Sequence, residues 1–578
     1  MENVSKESIL KTVKPLREML KDTTNKFGTK TALQERSGDK FVKYSYNKLD
    51  KYVTNLAKML IKLGVKKGDK ISVISKNRPE WTISYLAIHM SGAIVVPLDP
   101  LLKEGELFNI IKKANVKIVF CSSDYMFLMN GIKGKLDTLK RIISMDEDHD
   151  EVDIHTLISE GKKLDINPFN VPVTNSDLMV LLFTSGTTGK SKGVMLTNEN
   201  VIYDVLASVD RVVFNENDTF ISILPLHHVF EATVGFIGAL VKGSTIMYAR
   251  GYRPSDIIED IQDSKATIML GVPLLFEKIA LGILKAINKQ PFGVKTILRS
   301  AYGFVGIMRR FSNANLGKPI FKGLREKSGL SSIRLMVSGG AALKDWVSHT
   351  FERLGFPIIQ GYGLSEASPV TNVNPLNAAN NHSIGPPLVG MEMKIVNPNS
   401  EGVGEIAIKG PNVMLGYYED EEETNKVLRD GWLYTGDIGY IDNKGYFYIK
   451  GRQKNVIVTE AGKNIYPEEI EEKLMKSPMI QEVVVMSKRN ERTGREEVHA
   501  VIYPNLEYNS FYEGKDGQVV ANIALEEVGK IIKDEVKSLT NNLATYKRVK
   551  SISLQLKEFE KTTTKKIKRH MTNEKKKN

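Results

Sequence analysis

The stretch Ile71–Pro97, ISVISKNRPEWTISYLAIHMSGAIVVP, decides the class of fold. It opens on the apolar run Ile71–Ile74, passes the helix-opening residues Asn77 and Pro79, and after Gly92 returns to a second apolar run, Ala93–Pro97. A strand, a helix and a strand in that order predict neighbouring parallel strands covered by helices. Upstream, Leu49, Tyr52, Val53, Leu56, Met59, Leu60 and Leu63 keep one helical face, and Gly64 supplies the stop. The expected class is therefore α/β, with a large N-terminal domain of mixed and parallel sheets sandwiched by helices.

Between about 400 and 450 the texture changes to short runs punctuated by turns, GEIAIKG and then GDIGYIDNKGYFYIKG, which read as antiparallel strands and hairpins. After Gly451 a compact mixed pattern follows: VIVT, a helix from Pro467, the strand EVVVM and an amphipathic helix near 524–539. The expected domains are 1–450, with a β-rich subdomain at about 385–450, and a small α+β domain at 451–578. No fixed-period repeat occurs, which argues against a solenoid.

The 578 residues exceed one comfortable core, and 42% hydrophobic with 26% charged content is that of a soluble globular protein. The single cysteine, Cys121, excludes a disulfide framework and a cysteine metal site; following the run VKIVF, it reads as a buried, inert thiol in a reducing compartment. The first residues lack a secretory signal's apolar core. The greasiest stretch, Val229–Val241, is broken by Glu231 and falls short of the roughly 20 residues needed to span a bilayer. A soluble or at most peripheral cytoplasmic protein is expected. The net charge of +13 is spread widely and is densest at Lys547–Lys577, without the aromatic interleaving of single-strand binders. It reads as solvated surface with some attraction for anionic lipid, and not as a nucleic-acid site.

The sharpest chemical signal is LLFTSGTTGKSKGV at 181–194. An apolar strand runs into Thr184, Ser185, Gly186, Thr187, Thr188 and Gly189, followed by Lys190 and Lys192. Glycines admit backbone N–H groups to an anion, hydroxyls add donors and lysines add charge, so a polyphosphate is the natural guest rather than a plain surface loop. Gly186 and Gly189 enclose two residues, not the four of a Walker A loop.

This segment resembles the phosphate-loop signature of the adenylate-forming (AMP-binding) superfamily of acyl-CoA synthetases, adenylation domains and luciferases. Further segments occur in that family's order: PLHHVFE at 225–231, SGGAAL at 338–343, QGYGLSEASP at 360–369, GWLYTGDIGYID at 431–442 and GRQKNVIVTEAGKNIYPEEIE at 451–471. The resemblance implies ATP, Mg2+ and CoA as cofactors and co-substrates. Gly340, Ala341, Gln360, Gly361, Tyr362, Gly363 and Ser365 would line the nucleotide, with the Tyr362 ring against adenine. Thr184 and Glu366 would hold Mg2+, Glu366 being a surface carboxylate otherwise. Asp437 and Arg452 would hold the ribose, unless Arg452 is a salt bridge at a domain boundary. Lys454 matches the hinge on which a mobile C-terminal domain turns, and Gly462 and Lys463 lie in the loop that would meet CoA. His228 would sit beside the substrate carboxylate, a satisfied core histidine being the rival.

The terminal EFEKTTTKKIKRH resembles the closing motif that carries the family's catalytic lysine, aligned here to Lys566, with Glu560 and Lys565 standing where proline and glycine are usual. The neighbouring Lys565 leaves the alignment open by one residue. GVPLLFEKI at 271–279 resembles a stretch of long-chain acyl-CoA synthetases, differing at Leu274, and implies a medium- or long-chain fatty acid over an aryl or other acid. The implied partners are a small carboxylic acid, ATP and CoA, with a separate acyl carrier protein as the alternative acceptor, and a homodimer and weak peripheral membrane contact as assembly expectations. A non-catalytic paralogue is the rival reading from another class.

Overall fold

A computed structural model of the chain describes residues 5–147, 152–184, 191–309, 311, 315–458, 463–490, 496–505, 517–561 and 567–569, with backbone only at 517–527. The chain divides into two compact units, one of Met1–Met393 with Ile408–Leu433 and the other of Lys394–Ala407 with Tyr434–Asn578. The three crossings between them fall within the strands Glu392–Val396, Gly404–Lys409 and Trp432–Ile441.

The first unit holds two large sheets. One orders its strands Gly416–Tyr417, Lys192–Thr197, Leu178–Thr184, Ile94–Pro97, Lys70–Ile74, Ile118–Cys121 and Arg141–Ser144. The last five run parallel and the first two antiparallel to their neighbours. Ile71–Pro97 forms the expected unit: Ile71 pairs with Val95, and the helix Pro79–Met90 with proline in its first turn connects them. Every residue of that helix is buried, because it packs between layers rather than on the surface. The helix Tyr46–Lys62 starts at Ser45, whose side chain accepts from the Lys48 amide, and Gly64 ends it at φ +88°. Cys121 is fully buried, with Sγ 3.2 Å from Met126 Sδ.

The other sheet orders Val370–Val373, Ile358–Gly363, Leu335–Ser338, Ile268–Gly271, Thr219–Ser222, Thr245–Tyr248, Thr31–Ser37 and Lys40–Ser45, parallel except for its two edge pairings. The segment that read as the greasiest forms a π-helix, Glu231–Gly238, buried throughout. No helix among the described residues is long and apolar enough to cross a membrane.

In the second unit, Ile480–Arg489 pairs antiparallel with Glu496–Pro504, which pairs parallel with Ser551–Leu554. The helices Pro467–Leu474 and Gly517–Thr540 contribute Ile470, Leu474, Ile532 and Val536 to a core with Val485 and Ile502. The hairpin read from GDIGYIDNKGYFYIKG is present, with Asp437 opposite Arg452 and Ile441 opposite Phe447.

Candidate active site

Parallel strands point their carboxyl ends the same way, and the loops leaving them gather along one edge, where α/β sheets bind ligands. In the eight-stranded sheet, Gly271 pairs with Ser338, and Ser338 with Gln360. The segments that leave or end these strands carry Val272, then Gly340 and Ala341, then Gly361, Tyr362 and Gly363. Thr219–Ser222, parallel in the same sheet, leads to His227 and His228. Two glycines here are dictated by geometry. Gly340 has φ +84°, and a Cβ at Gly363 would fall 1.7 Å from the Pro369 carbonyl oxygen. Gln360 is committed to the scaffold: its side-chain oxygen accepts from the Leu343 amide at 2.5 Å and its nitrogen donates to the Ser383 carbonyl at 2.9 Å, bracing the loop that carries Gly340 and Ala341.

Thr184 ends a strand of the other sheet and pairs with Lys192, whose strand packs against the turn Ser365–Ala367. Glu366, half-buried in that turn, accepts a 2.8 Å hydrogen bond at Oε1 from the hydroxyl of Tyr417, and its carbonyl accepts from the Met414 amide at 2.9 Å. Tyr417 reaches it because Gly416–Tyr417 adds to the sheet edge beside Val194. Lys192 is occupied by an ion pair with Glu423 and lies 4.9 Å above the Tyr417 ring. The sequence reading did not single out Tyr417, some 50 residues from the carboxylate it orients; only the strand pairing reveals it.

His228 is half-buried, its ring 4.3 Å from that of His227. His227 is the buried one, with Nε2 3.4 Å from Asp99 Oδ1, and it borders a narrow apolar space with Tyr85, Val180, Leu182, Val229 and Ala232. Asn77 holds the segment leading to both: it donates to the Leu224 carbonyl at 2.7 Å and accepts from the Leu226 amide at 3.0 Å. The same amide nitrogen donates to Ser222 Oγ at 2.9 Å, and Ser222 donates to Glu231 Oε1 at 2.7 Å. Burial pushes the Glu231 carboxyl up to about 8, only partly offset by Ser222, so it is neutral near pH 7. A proton on Oε2, which has no hydrogen-bond partner among the described residues, makes that burial tolerable. The widened helix accommodates the acid only because residue 235 is glycine; a Cβ there would lie 2.8 Å from the carboxyl carbon. Thr233 donates to the Ser368 carbonyl at 3.0 Å, tying this helix to the segment that carries Glu366.

In the second unit Asp437 is buried and pairs with Arg452, Nε to Oδ1 at 2.7 Å, while Arg452 also donates to the Thr435 carbonyl at 3.1 Å. Arg452 thus does form a salt bridge, but within the second unit and with the other residue of the proposed ribose pair. Lys454 sits in a short 3-10 turn, Gln453–Asn455. Desolvation, then the cations Arg452 and Arg569, hold its ammonium below the usual lysine range. Lys463 Nζ lies 4.9 Å from the Tyr546 ring. Ser185, Gly186, Thr187, Thr188, Gly189, Lys190, Gly462, Lys565 and Lys566 lie outside the described residues.

Among the described residues no group of three or more His, Cys, Asp or Glu side chains could hold a metal. The donor set that does occur, one oriented carboxylate at Glu366 and one hydroxyl at Thr184, suits Mg2+, a hard ion held mostly by water and substrate phosphates with one or two protein oxygens.

A strand-end site with these motifs defines a nucleotide-dependent enzyme of the adenylate-forming kind. The model of the AMP-binding enzyme family matches residues 20–418, and the chain belongs to that family. It is 31% identical over 515 residues to a long-chain-fatty-acid–CoA ligase of Bacillus subtilis, covering 82% of each chain. It is 28% identical over 578 aligned positions to a long-chain-fatty-acid–[acyl-carrier-protein] ligase of Arabidopsis thaliana, covering 86% of this chain and 77% of that one. ATP-bound MatB from Rhodopseudomonas palustris shares the fold, with a TM-score of 0.75 at 24% identity over 98% of this chain and 99% of its own.

Proposed function

We infer that this chain is an AMP-forming fatty acid–CoA ligase: it activates a medium- or long-chain acid with MgATP and transfers the acyl group to CoA. The likeness to the Bacillus ligase across four fifths of both chains carries the reading. The oriented Glu366 and the strand-end loops supply chemistry consistent with it.

A carboxylate is a poor electrophile, since its oxygen would have to leave as oxide. Its attack on the α-phosphorus of ATP forms one P–O bond, breaks the bond to the β-phosphate bridge and releases pyrophosphate. The acyl-AMP so formed then meets a thiolate, which takes the acyl carbon and expels AMP. Two anions must be brought together in the first step. Glu366 and Thr184 would hold Mg2+, which would supply charge to screen the phosphates; residues 184–190 supply donors, and Lys566 supplies a cation. Asp437 and Arg452 take the ribose, Tyr362 the adenine, and Gly340, Ala341, Gly361, Gly363 and Ser365 the faces around them, with Gln360 bracing the loop of Gly340 and Ala341 from behind. His228 takes the acid's carboxylate side. The small C-terminal domain beyond Lys454 turns about that residue between the two half-reactions, and Gly462 and Lys463 meet CoA. The enzyme works in the cytoplasm with peripheral membrane contact; a homodimer is checked by light scattering.

Purified protein given MgATP and acids of increasing length will exchange labelled pyrophosphate into ATP, best with fatty acids. Lys566→Ala lowers that exchange by about 100- to 1,000-fold while thioester formation from supplied acyl-AMP largely survives. Tyr417→Phe, which frees Glu366 Oε1, lowers kcat/KM by about tenfold through weaker MgATP binding. No exchange with any acid would defeat the reading in favour of a non-catalytic member of the family. The Arabidopsis relative motivates a comparison of acceptors: faster acylation of a carrier protein than of CoA would move the assignment to a carrier-protein ligase.

A further inference from the structure

The helix Phe292–Met308 is turned the wrong way round for a helix on a soluble protein. Leu298, Ala301, Tyr302 and the buried Val305 pack on the core side, while Phe292, Ile297, Phe304 and Ile307 stand on the opposite side, and Phe311 continues the stripe beyond the helix end. These five side chains are 53–85% exposed. Between them on that face lie only Gly293, Thr296, Ser300 and Gly303, so the exposed strip, about 25 Å long at the helical rise, carries no charge. A contiguous apolar face of this kind on a single chain marks an interaction site.

The charge around the strip says what covers it. From Lys278 to Arg325 the sequence carries ten lysines and arginines and no acidic residue. Arg325 is buried and Arg309 pairs with Glu352, but Lys285, Lys289, Lys318 and Lys322 are exposed on the neighbouring segments. A second copy of the same surface would bring like charges together. Nucleic acid would match the cations and leave the phenylalanine and isoleucine side chains in water. An apolar strip bordered by cations is what an anionic bilayer accepts: the strip enters the boundary between headgroups and acyl chains, and the lysines meet the phosphates.

We propose that the exposed face of Phe292–Met308, continued by Phe311, is a membrane-docking surface for anionic phospholipid. The helix Pro273–Asn288, against which it packs, starts next to Val272, whose side chain lies 3.8 Å from where a Cβ of Gly340 would stand. The docking surface and the strand-end site are therefore carried by one continuous piece of chain in the first unit. The inference rests on the peripheral-contact part of the reading above and not on its chemistry.

Full-length protein is mixed with vesicles of phosphatidylcholine alone and of phosphatidylcholine with phosphatidylglycerol, and the bound fraction is measured by flotation without nucleotide or acid. Binding will favour the anionic vesicles and weaken with salt. The triple variant Ile297→Ser, Phe304→Ser, Ile307→Ser, confined to exposed positions, will bind at least about tenfold less while keeping the thermal melt and the pyrophosphate exchange of the parent with a short soluble acid. The variant Lys285→Gln, Lys289→Gln, Lys318→Gln, Lys322→Gln will lose the preference for anionic lipid. The proposal is overturned if the parent does not float, or if the serine variant floats as well as the parent. Conversion of a dimer to a monomer by the serine changes, with vesicle binding intact, would assign the strip to self-association instead. Retention of an acidic protein that the serine variant loses, with vesicle binding intact, would assign it to that protein. Absent exchange in a parent that floats would defeat the catalytic reading and leave the surface standing.

Discussion

Two segments of nearly equal greasiness have opposite fates in this molecule. Glu231–Gly238 contains a carboxylic acid and is buried at every residue, whereas Phe292–Met308 holds larger apolar side chains and presents them to solvent. The difference lies in what surrounds them. The first is enclosed by the helix Asn198–Val212 and the strand Thr219–Ser222, and its acid is accepted because Ser222 donates to it, Gly235 leaves room for it and a proton neutralises it. The second has packing partners on one side only. Hydropathy measures how much a segment would gain from leaving water, not whether the fold provides somewhere to go.

Matched truncations break this contrast most sharply. Phe236→Ala, at a fully buried position, is expected to cost about 3–5 kcal/mol in denaturant unfolding. Phe304→Ala is expected to stay within about 0.5 kcal/mol, as exposed positions do. A comparable cost at both would mean that the strip is already covered within the chain. An effect that reaches a similar size only when summed over a wide pH range comes from Glu231→Gln. The carboxyl's folded value, about 8, lies above its unfolded value near 4.5, so the folded state holds a proton the unfolded state has lost between those limits. Stability from this group is complete below the lower limit and falls as pH rises to the upper one. The glutamine variant, which can still accept from Ser222, removes that fall. Relative to the parent it should gain up to about 1.4 kcal/mol per pH unit across the window, read by denaturant melts from pH 5 to 8. An unchanged difference would mean that Glu231 is ionised where it sits.

Much of the fold was legible because local rules agreed. Pro79 at a helix start, Gly92 before a strand and Gly64 after a helical face each have one cheap backbone solution, and the structure adopts it. Cys121 is buried as its apolar run implied. The hairpin after Trp432 follows from its turn residues. In the candidate site, Glu366, Tyr362, Gly340 and His228 are legible as members of motifs. Their supports were not, because support comes across strands. Tyr417 orients Glu366 through an edge pairing, and Asn77 and Ser222 reach the His228 segment and Glu231 from separate elements. The doublet His227–His228 was a visible signal, but only burial separates the two: His227 faces Asp99 and the core, and His228 is the more open ring. The ten cations from Lys278 to Arg325 can be counted in the sequence, but the direction in which the apolar face of Phe292–Met308 points cannot.

By itself the sequence determined the α/β class, the order of the motifs and the residue types able to meet an anion, because backbone preferences and side-chain chemistry are local properties. Only the tertiary structure decided that Glu231 is a buried neutral acid, that Tyr417 serves Glu366 and that Phe304 faces outward. Ionisation and exposure depend on how much water the neighbours displace, and those neighbours come from distant parts of the chain.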